Sequence, residues 1–286
     1  MAETIQRGSG WSIGRVLFLY RLFGYQFIYY LMYPVTFFYF IFAGNVKASL
    51  RIYYAHLGLP FNNRVYYTHL RTFAVCMVDR FITRIDPESY TYLYENREIP
   101  REILRHASIL LQSHFGGWAA SSNSSNIQNR LNIVMREVML KDIKKIENSI
   151  ESKRDVRVID LNRGTISASV QIANALLDDE VVAMMGDRAA TEKAEIEIDF
   201  LGETARFNKS PFQIAYKMEK PILVYFVILI GMRRYRVAYL KIEMDRSKDE
   251  EEAILEALRS YAALYEKIIR EYPDQWFNFY DFWEKR

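Results

Sequence analysis

The chain has little cysteine, little histidine and almost no excess of charge. Among its 286 residues there is one cysteine, Cys76, and there are four histidines. A single cysteine excludes a disulfide within the chain, which favours a reducing compartment. Without an HExxH pattern we expect no metal site. The formal net charge of +3 does not indicate nucleic-acid binding, and no zinc-finger or RNP motif occurs. We expect neither a cofactor nor a nucleic-acid partner.

Charge is absent altogether from residues 22–43, which read LFGYQFIYYLMYPVTFFYFIFA. About 20 mostly apolar residues are enough to span a bilayer, although the many tyrosines favour the membrane interface. Pro34 predicts a kink. The run therefore either spans a membrane or lies partly embedded as a bent hairpin; the alternative is a core helix. We expect residues 1–50 to anchor the chain in a membrane. Basic residues on both sides of the run leave its orientation open.

From about residue 100, strand-like and helix-like stretches alternate. The strand-like stretches are residues 107–112, 132–136, 156–161, 181–185, 222–229 and 235–242, and the helix-like ones are 141–152, 165–177 and 210–218. Such alternation predicts an α/β fold in which helices flank a mixed, mostly parallel sheet. Residues 195–200 alternate with period two before Gly202, which predicts a hairpin. We assign residues 51–286 to this domain.

Two more helices are indicated by their ends. Residues 62–85 form a helical pattern that Pro87 should terminate. Residues 247–250, Ser-Lys-Asp-Glu, fit a capping box with Ser247 at the N-cap. They predict a last helix that stops at Pro273.

A histidine follows the strand-like residues 108–111. His114 is succeeded by Gly116 and Gly117, where the absence of side chains allows the backbone to approach a ligand closely. Open α/β sheets bind ligands beyond the carboxyl ends of their strands, and histidine is a common general base. We interpret His114 as a candidate base; the alternative is a histidine satisfied in the core or at its rim.

Two further strands end in residues suited to binding. Arg136 closes a strand and is able to bind phosphate through two parallel hydrogen bonds, or it is an ordinary surface charge. Gly186, Asp187 and Arg188 follow the apolar residues 181–185. They lie on the ligand side of the predicted sheet, although glycine and aspartate are also common in plain turns.

A basic cluster lies between these segments. Such a cluster is usually a solvated face, and it also suits an acidic carrier protein or an anionic lipid. Its members are Lys141, Lys144, Lys145, Lys153, Arg154 and Arg157.

Taken in order, these segments resemble the bacterial lipid A biosynthesis acyltransferase family. The resemblance covers nearly the whole chain, beginning with one N-terminal anchor. It is carried by SHFGGW (113–118), NIVMR (132–136), MGDR (185–188), FLGETARF (200–207) with SPF (210–212), and YPDQWF (272–277). Residues 68–74 and 78–81 look closer to a subgroup linked to glycosyltransferases and polyene lipids.

The resemblance implies acyl transfer from an acyl carrier protein or acyl-CoA thioester to a hydroxyl of a lipid A-like acceptor or related glycolipid. The reaction would take place at the cytoplasmic face of the bacterial inner membrane. His114 would be the base, and backbone N–H groups near Gly116 and Gly117 would stabilise the oxyanion. Arg136 would bind a phosphate or carboxylate of the acceptor, and Arg188 would also bind substrate.

One departure from the family pattern affects the catalytic pair. Where the family has glutamate or aspartate after its histidine, this chain has Ala119. Three explanations are open: an engineered substitution, a substitute carboxylate of which Asp187 is the best placed, or a natural non-catalytic lipid-binding relative. A hydrolase such as a thioesterase finds no support, because no GxSxG motif occurs.

Overall fold

The computed structural model describes residues 10–118, 129–136 and 156–284 of the chain. Ala119, the helix expected at residues 141–152 and the basic cluster except Arg157 lie outside the described residues. The strands and helices that position the candidate site lie within them.

The described helices and strands alternate much as the sequence predicts. The helices are α1 (Gly10–Phe42), α2 (Gly44–His56), α3 (Asn63–Ile85), α4 (Glu98–Ile103), α5 (Thr165–Leu177), α6 (Ser210–Met218) and α7 (Glu250–Glu271). The strands are β1 (Thr91–Tyr94), β2 (Ser108–Gln112), β3 (Leu131–Met135), β4 (Val156–Asp160), β5 (Val181–Met185), β6 (Glu195–Phe200), β7 (Glu203–Asn208), β8 (Ile222–Gly231) and β9 (Arg234–Ile242).

Seven of these strands form one mixed sheet in the order β1-β9-β8-β2-β5-β3-β4. Strands β8, β2, β5, β3 and β4 are mutually parallel. Strand β9 is antiparallel to β8 and parallel to β1. The predicted α/β fold with a mostly parallel sheet is therefore confirmed. Strands β6 and β7 form the separate antiparallel hairpin that the sequence predicts.

Helices cover both faces of this sheet, and strand β8 is apolar on both of its sides. Along β8, alternate residues enter two different buried clusters, so the strand is apolar throughout. One cluster contains Val224 and Phe226 and receives α5, α6 and α7. The other contains Tyr225 and Val227 and receives α1 and the second half of α3.

Helix α1 buries one stripe and exposes the rest of its apolar surface. Tyr25, Ile28 and Met32 are buried at helical spacing, whereas Phe23 and Phe38 are 58% and 60% exposed. No single helix in the described ranges is long and apolar enough to cross a membrane. Helices α1, from residue 14, and α2 together meet that test by length and composition, and they meet at 91°.

The break expected within α1 lies at a different residue. Pro34 is inside the helix, and the residue with non-helical backbone angles is Gly24, at φ 73° and ψ −177°. Glycine adopts a positive φ without steric cost, whereas other residues rarely do. The apolar segment is therefore interrupted at Gly24 and again at the sharp bend before α2.

Both predicted helix starts are close to the observed ones, but one cap is different. Asn62 caps α3 by accepting from the backbone N–H of Val65. Helix α7 is capped by Asp249, whose carboxylate accepts from the N–H groups of Glu251 and Glu252. Ser247 is therefore not the N-cap. Because the helix begins at Glu250, the Asp249 carboxylate meets two otherwise unsatisfied N–H groups at the positively charged end of the helix.

A buried carboxylate connects α1, α3 and the sheet. Asp79 on α3 has no exposed surface. It accepts from the phenols of Tyr25 and Tyr90 at 2.8 Å and from the phenol of Tyr235. Burial raises the pKa of its carboxyl to about 6, and the three phenols with Arg233 only partly oppose this.

We expect Asp79→Asn to reveal this buried group. The unfolded carboxyl titrates near its ordinary value of about 3.9 and the folded one near 6, so the native state binds the proton more tightly. Relative to the variant, the free energy of unfolding of the unmodified protein should fall by about 2 kcal/mol as the pH rises from 4 to 6. Denaturant unfolding in detergent measures this difference. A difference that stays constant across this window would contradict the assignment.

Candidate active site

The register of two neighbouring strands brings His114 and Asp187 together. Strands β2 and β5 are parallel and pair Gln112 with Met185 at their carboxyl ends. His114 and Asp187 each lie two residues beyond the end of their strand, so both side chains lie at the same edge of the sheet. Nδ1 of His114 lies 3.0 Å from Oδ1 of Asp187, and the backbone N–H of His114 donates to Oδ2 at 2.9 Å.

The Asp187 carboxylate is fully enclosed by donors. Its side chain has no exposed surface, whereas that of His114 is 24% exposed. Burial alone would raise the pKa of the Asp187 carboxyl, but His114, Arg188 and Asn278 outweigh it and hold that pKa at about 2. An ionised carboxylate only accepts, so Nδ1 of His114 carries the shared proton. In the part of the chain that the structure describes, no group hydrogen-bonds to Nε2, which leaves it as the basic nitrogen.

The segment after α7 holds the backbone of the histidine loop. Phe277 donates its N–H to the carbonyl of His114 at 2.8 Å, and Trp276 pairs with Phe115 as an isolated antiparallel bridge. His69 on α3 in turn fixes Trp276, because its Nε2 lies 2.7 Å from the Trp276 carbonyl. Burial lowers the pKa of His69 to about 4, so this histidine is a neutral structural residue.

Gly116 and Gly117 are needed for close packing. The N–H of Gly116 donates to the Gln275 carbonyl at 2.9 Å, and that of Gly117 donates to the Val227 carbonyl at 2.7 Å. Both donors are engaged within the protein; the oxyanion role expected of the backbone near these glycines stays a prediction. A Cβ at Gly117 would lie 2.4 Å from the Tyr235 ring, so a side chain cannot be accommodated there.

The two predicted arginines lie at this edge in different settings. Arg136 follows β3, is exposed, and donates to the Ala190 carbonyl in the loop after β5. Arg188 is half-buried. Its Nε donates to Oδ1 of Asn278 at 2.6 Å, and its guanidinium lies 4.7 Å from the centre of the Tyr280 ring. Arg188 therefore points into the protein's own C-terminal segment.

Sequence reasoning missed Asn278. Its Nδ2 donates to Oδ2 of Asp187 at 2.9 Å, and it is fully buried. The residue lies more than 90 positions from Asp187 and belongs to no periodic pattern, so the sequence offered no signal for it. Within the described residues, no group of three or more His, Cys, Asp or Glu side chains is arranged to hold a metal ion.

A comparison with known protein families covers the part of the chain that forms this site. Residues 84–285 match the family described as bacterial lipid A biosynthesis acyltransferase. The chain belongs to that family. The match includes β1 to β9, the His114 and Asp187 loops and the C-terminal segment, so the chain is a lipid A-type acyltransferase in general terms. None of the curated proteins matches the chain.

The close contact between Gly117 and the Tyr235 ring can be tested by substitution. Gly117→Ala should destabilise the fold by roughly 1–3 kcal/mol, a typical cost of overpacking, because the phenol of Tyr235 is held by Asp79 and the ring cannot withdraw. Gly44→Ala is the matched control, since a Cβ there meets nothing within 4 Å. Thermal unfolding of both variants checks the prediction, and equal stability in the two would refute it.

Proposed function

We propose that this protein moves a fatty acyl chain from a thioester, on an acyl carrier protein or coenzyme A, to a hydroxyl of a lipid A-like acceptor or related glycolipid. The observation that supports it most is the 3.0 Å contact between Nδ1 of His114 and Asp187 at the carboxyl edge of the sheet. A carboxylate on one ring nitrogen holds the other as a base and stabilises the imidazolium that forms.

Each proton in the proposed reaction passes through His114. Its Nε2 removes the proton of the acceptor hydroxyl while that oxygen attacks the thioester carbonyl carbon. The tetrahedral intermediate then collapses, the C–S bond breaks, and the imidazolium returns the proton to the departing thiolate. Asp187 stabilises the imidazolium between these two transfers. The products are an ester and a free thiol.

Arg136 is the proposed contact to the acceptor. Its guanidinium lies beside the loop that follows Asp187, within the edge where β2, β3 and β5 end. An exposed guanidinium binds phosphate or carboxylate through charge-assisted hydrogen bonds. We assign to it the anionic group of the lipid, and to His114 the hydroxyl.

The competing function is that of a lipid-binding relative without turnover. Ala119 supports it, because the family's acid is missing there. The contact of Asp187 with His114 supports the enzyme instead, since it supplies a carboxylate from a different strand. The two functions differ in measurable acyl transfer.

His114→Ala and Asp187→Asn should each lower kcat by on the order of 10³–10⁴, because removing an orienting carboxylate from a catalytic histidine has an effect of this size. The assay follows labelled acyl groups from acyl carrier protein into extracted membrane lipids. His106→Ala is the matched control, since His106 also lies against an aspartate, Asp179 at 3.3 Å, but is exposed and remote from the edge.

Ala119→Glu separates the remaining explanations. A large gain in activity would indicate that the missing acid limits the chain, and Asp187 would then not be a sufficient substitute. If neither the unmodified protein nor this variant transfers acyl groups, the lipid-binding function is the better one.

We further propose that α1 and α2 hold the enzyme on the bacterial inner membrane, with the catalytic domain on the cytoplasmic side. Along α1, large apolar side chains are exposed that a soluble surface would not carry in such density. Those more than half exposed are Phe18, Leu22, Phe23, Tyr30, Phe37, Phe38, Ile41 and Phe42. Lys47 and Arg51 follow on α2, where cations suit anionic headgroups.

The double variant Phe38→Glu with Phe42→Glu should weaken membrane binding at least tenfold, because a carboxylate in the hydrocarbon region costs about 2.5–3.5 kcal/mol at its centre. Flotation with phosphatidylethanolamine and phosphatidylglycerol vesicles measures the bound fraction. Leu177→Glu, on α5, is the control, since Leu177 is 72% exposed. Equal loss in both variants would contradict a surface confined to α1 and α2.

A further inference from the structure

A chain of hydrogen bonds extends from the catalytic pair to a half-buried arginine. Arg188 Nε donates to Oδ1 of Asn278 at 2.6 Å, and Asn278 Nδ2 donates to Oδ2 of Asp187 at 2.9 Å. Asp187 then faces Nδ1 of His114 through Oδ1 at 3.0 Å. The chain joins the loop after β5 to the segment after α7 and to the loop after β2.

The chemistry of the end groups fixes the orientation of the asparagine amide. A guanidinium only donates, and a carboxylate only accepts. Asn278 therefore turns its oxygen to Arg188 and its nitrogen to Asp187. The opposite orientation would place two donors against each other at one end and two acceptors at the other.

We infer that Asn278 is a positioning residue for the His114–Asp187 pair and that Arg188 serves to orient Asn278. This inference rests on the proposed catalytic role of His114 and Asp187. It assigns to Arg188 a different task from the substrate binding expected of it, because its Nε is already bonded and its guanidinium is stacked on Tyr280.

The orientation of the Asp187 carboxylate matters because its two oxygens make different hydrogen bonds. Oδ1 is closest to the imidazole, while Oδ2 is held by the N–H of His114 and by Asn278. Two fixed donors on one oxygen prevent the carboxylate from rotating and hold the plane of the imidazole with it. With alanine at position 119, the proposed reaction uses the Asp187 carboxylate to orient His114.

The charged and titratable groups around Asp187 come from three elements. His114 and Arg188 face it from the strand-end loops, and Tyr261 and Tyr265 face it from α7. Tyr261 also shares a hydrogen bond of 2.6 Å with Ser113. Of these groups, Arg188 hydrogen-bonds to Asn278, so a change at Asn278 removes that bond.

Three variants test the assignment in the full chain. Asn278→Leu removes both hydrogen bonds at nearly constant size, and Asn278→Asp replaces the donor by a carboxyl group. Gln275→Leu is the matched control. Gln275 is a buried amide in the same segment, and its side chain hydrogen-bonds twice to the backbone of Leu229 on β8 rather than to Asp187. The measurement is kcat between pH 5.5 and 9, with thermal unfolding of each variant.

Asn278→Leu should lower kcat by about 10- to 100-fold, the usual effect of removing a group that orients a functional side chain, with a constant ratio to the unmodified enzyme across the pH range. Asn278→Asp should behave differently. At low pH the two carboxyls share a proton and the donor is kept, whereas at high pH both ionise and repel each other. Its activity ratio should therefore fall as the pH rises. Gln275→Leu should lower the thermal stability, while the ratio of its kcat to that of the unmodified enzyme stays constant across the pH range.

Arg188→Met gives a second test with less risk to folding. If Arg188 orients Asn278, kcat falls and the acceptor KM is unchanged; if it binds substrate, the acceptor KM rises instead. The inference would be overturned if the kcat ratio of Asn278→Asp to the unmodified enzyme stayed constant with pH, or if Arg188→Met changed only KM. Loss of activity in His114→Ala would still uphold the proposed function in that case. Full activity in His114→Ala would overturn the proposed function itself.

Discussion

The pairing of β2 with β5 is the constraint on which the site depends. Because Gln112 lies opposite Met185, the residues two positions beyond each strand end become neighbours, and a histidine and an aspartate 73 positions apart make contact. A shift of this register by one residue would turn every side chain of β2 to the other face. The alternating burial on both sides of β8 and β2 fixes the register, so the hydrophobic core determines the geometry of the His114–Asp187 pair.

Helix α3 connects this sheet to the rest of the chain through buried polar groups. Asp79 binds Tyr25 of α1 and Tyr235 of β9, and His69 binds the carbonyl of Trp276 beside the histidine loop. Buried polar groups are tolerated only when they are hydrogen-bonded. These contacts therefore specify one arrangement of α1, the sheet and the C-terminal segment, where apolar packing alone would allow several.

The sequence predicted elements best where one pattern dominated. The apolar residues 181–185 and the alternating residues 195–200 became β5 and β6 with the expected bounds. Strand β1 was missed because it is a four-residue edge strand with no fully buried residue. The cap at Ser247 was wrong because Asp249 competes for the same N–H groups and reaches two of them.

By itself, the sequence determined the fold class, the apolar N-terminal segment and the positions of His114, Asp187 and Arg136 at strand ends, because these follow from periodicity and from residue types local to each strand. Its motifs, taken in order, carried the resemblance to the family. Only the tertiary structure decided which of these residues meet. It placed Asp187 against His114, turned Arg188 towards Asn278, and engaged the N–H groups of Gly116 and Gly117. Such contacts depend on strand order and on a C-terminal segment that returns to the β2 edge, and no local pattern encodes that return.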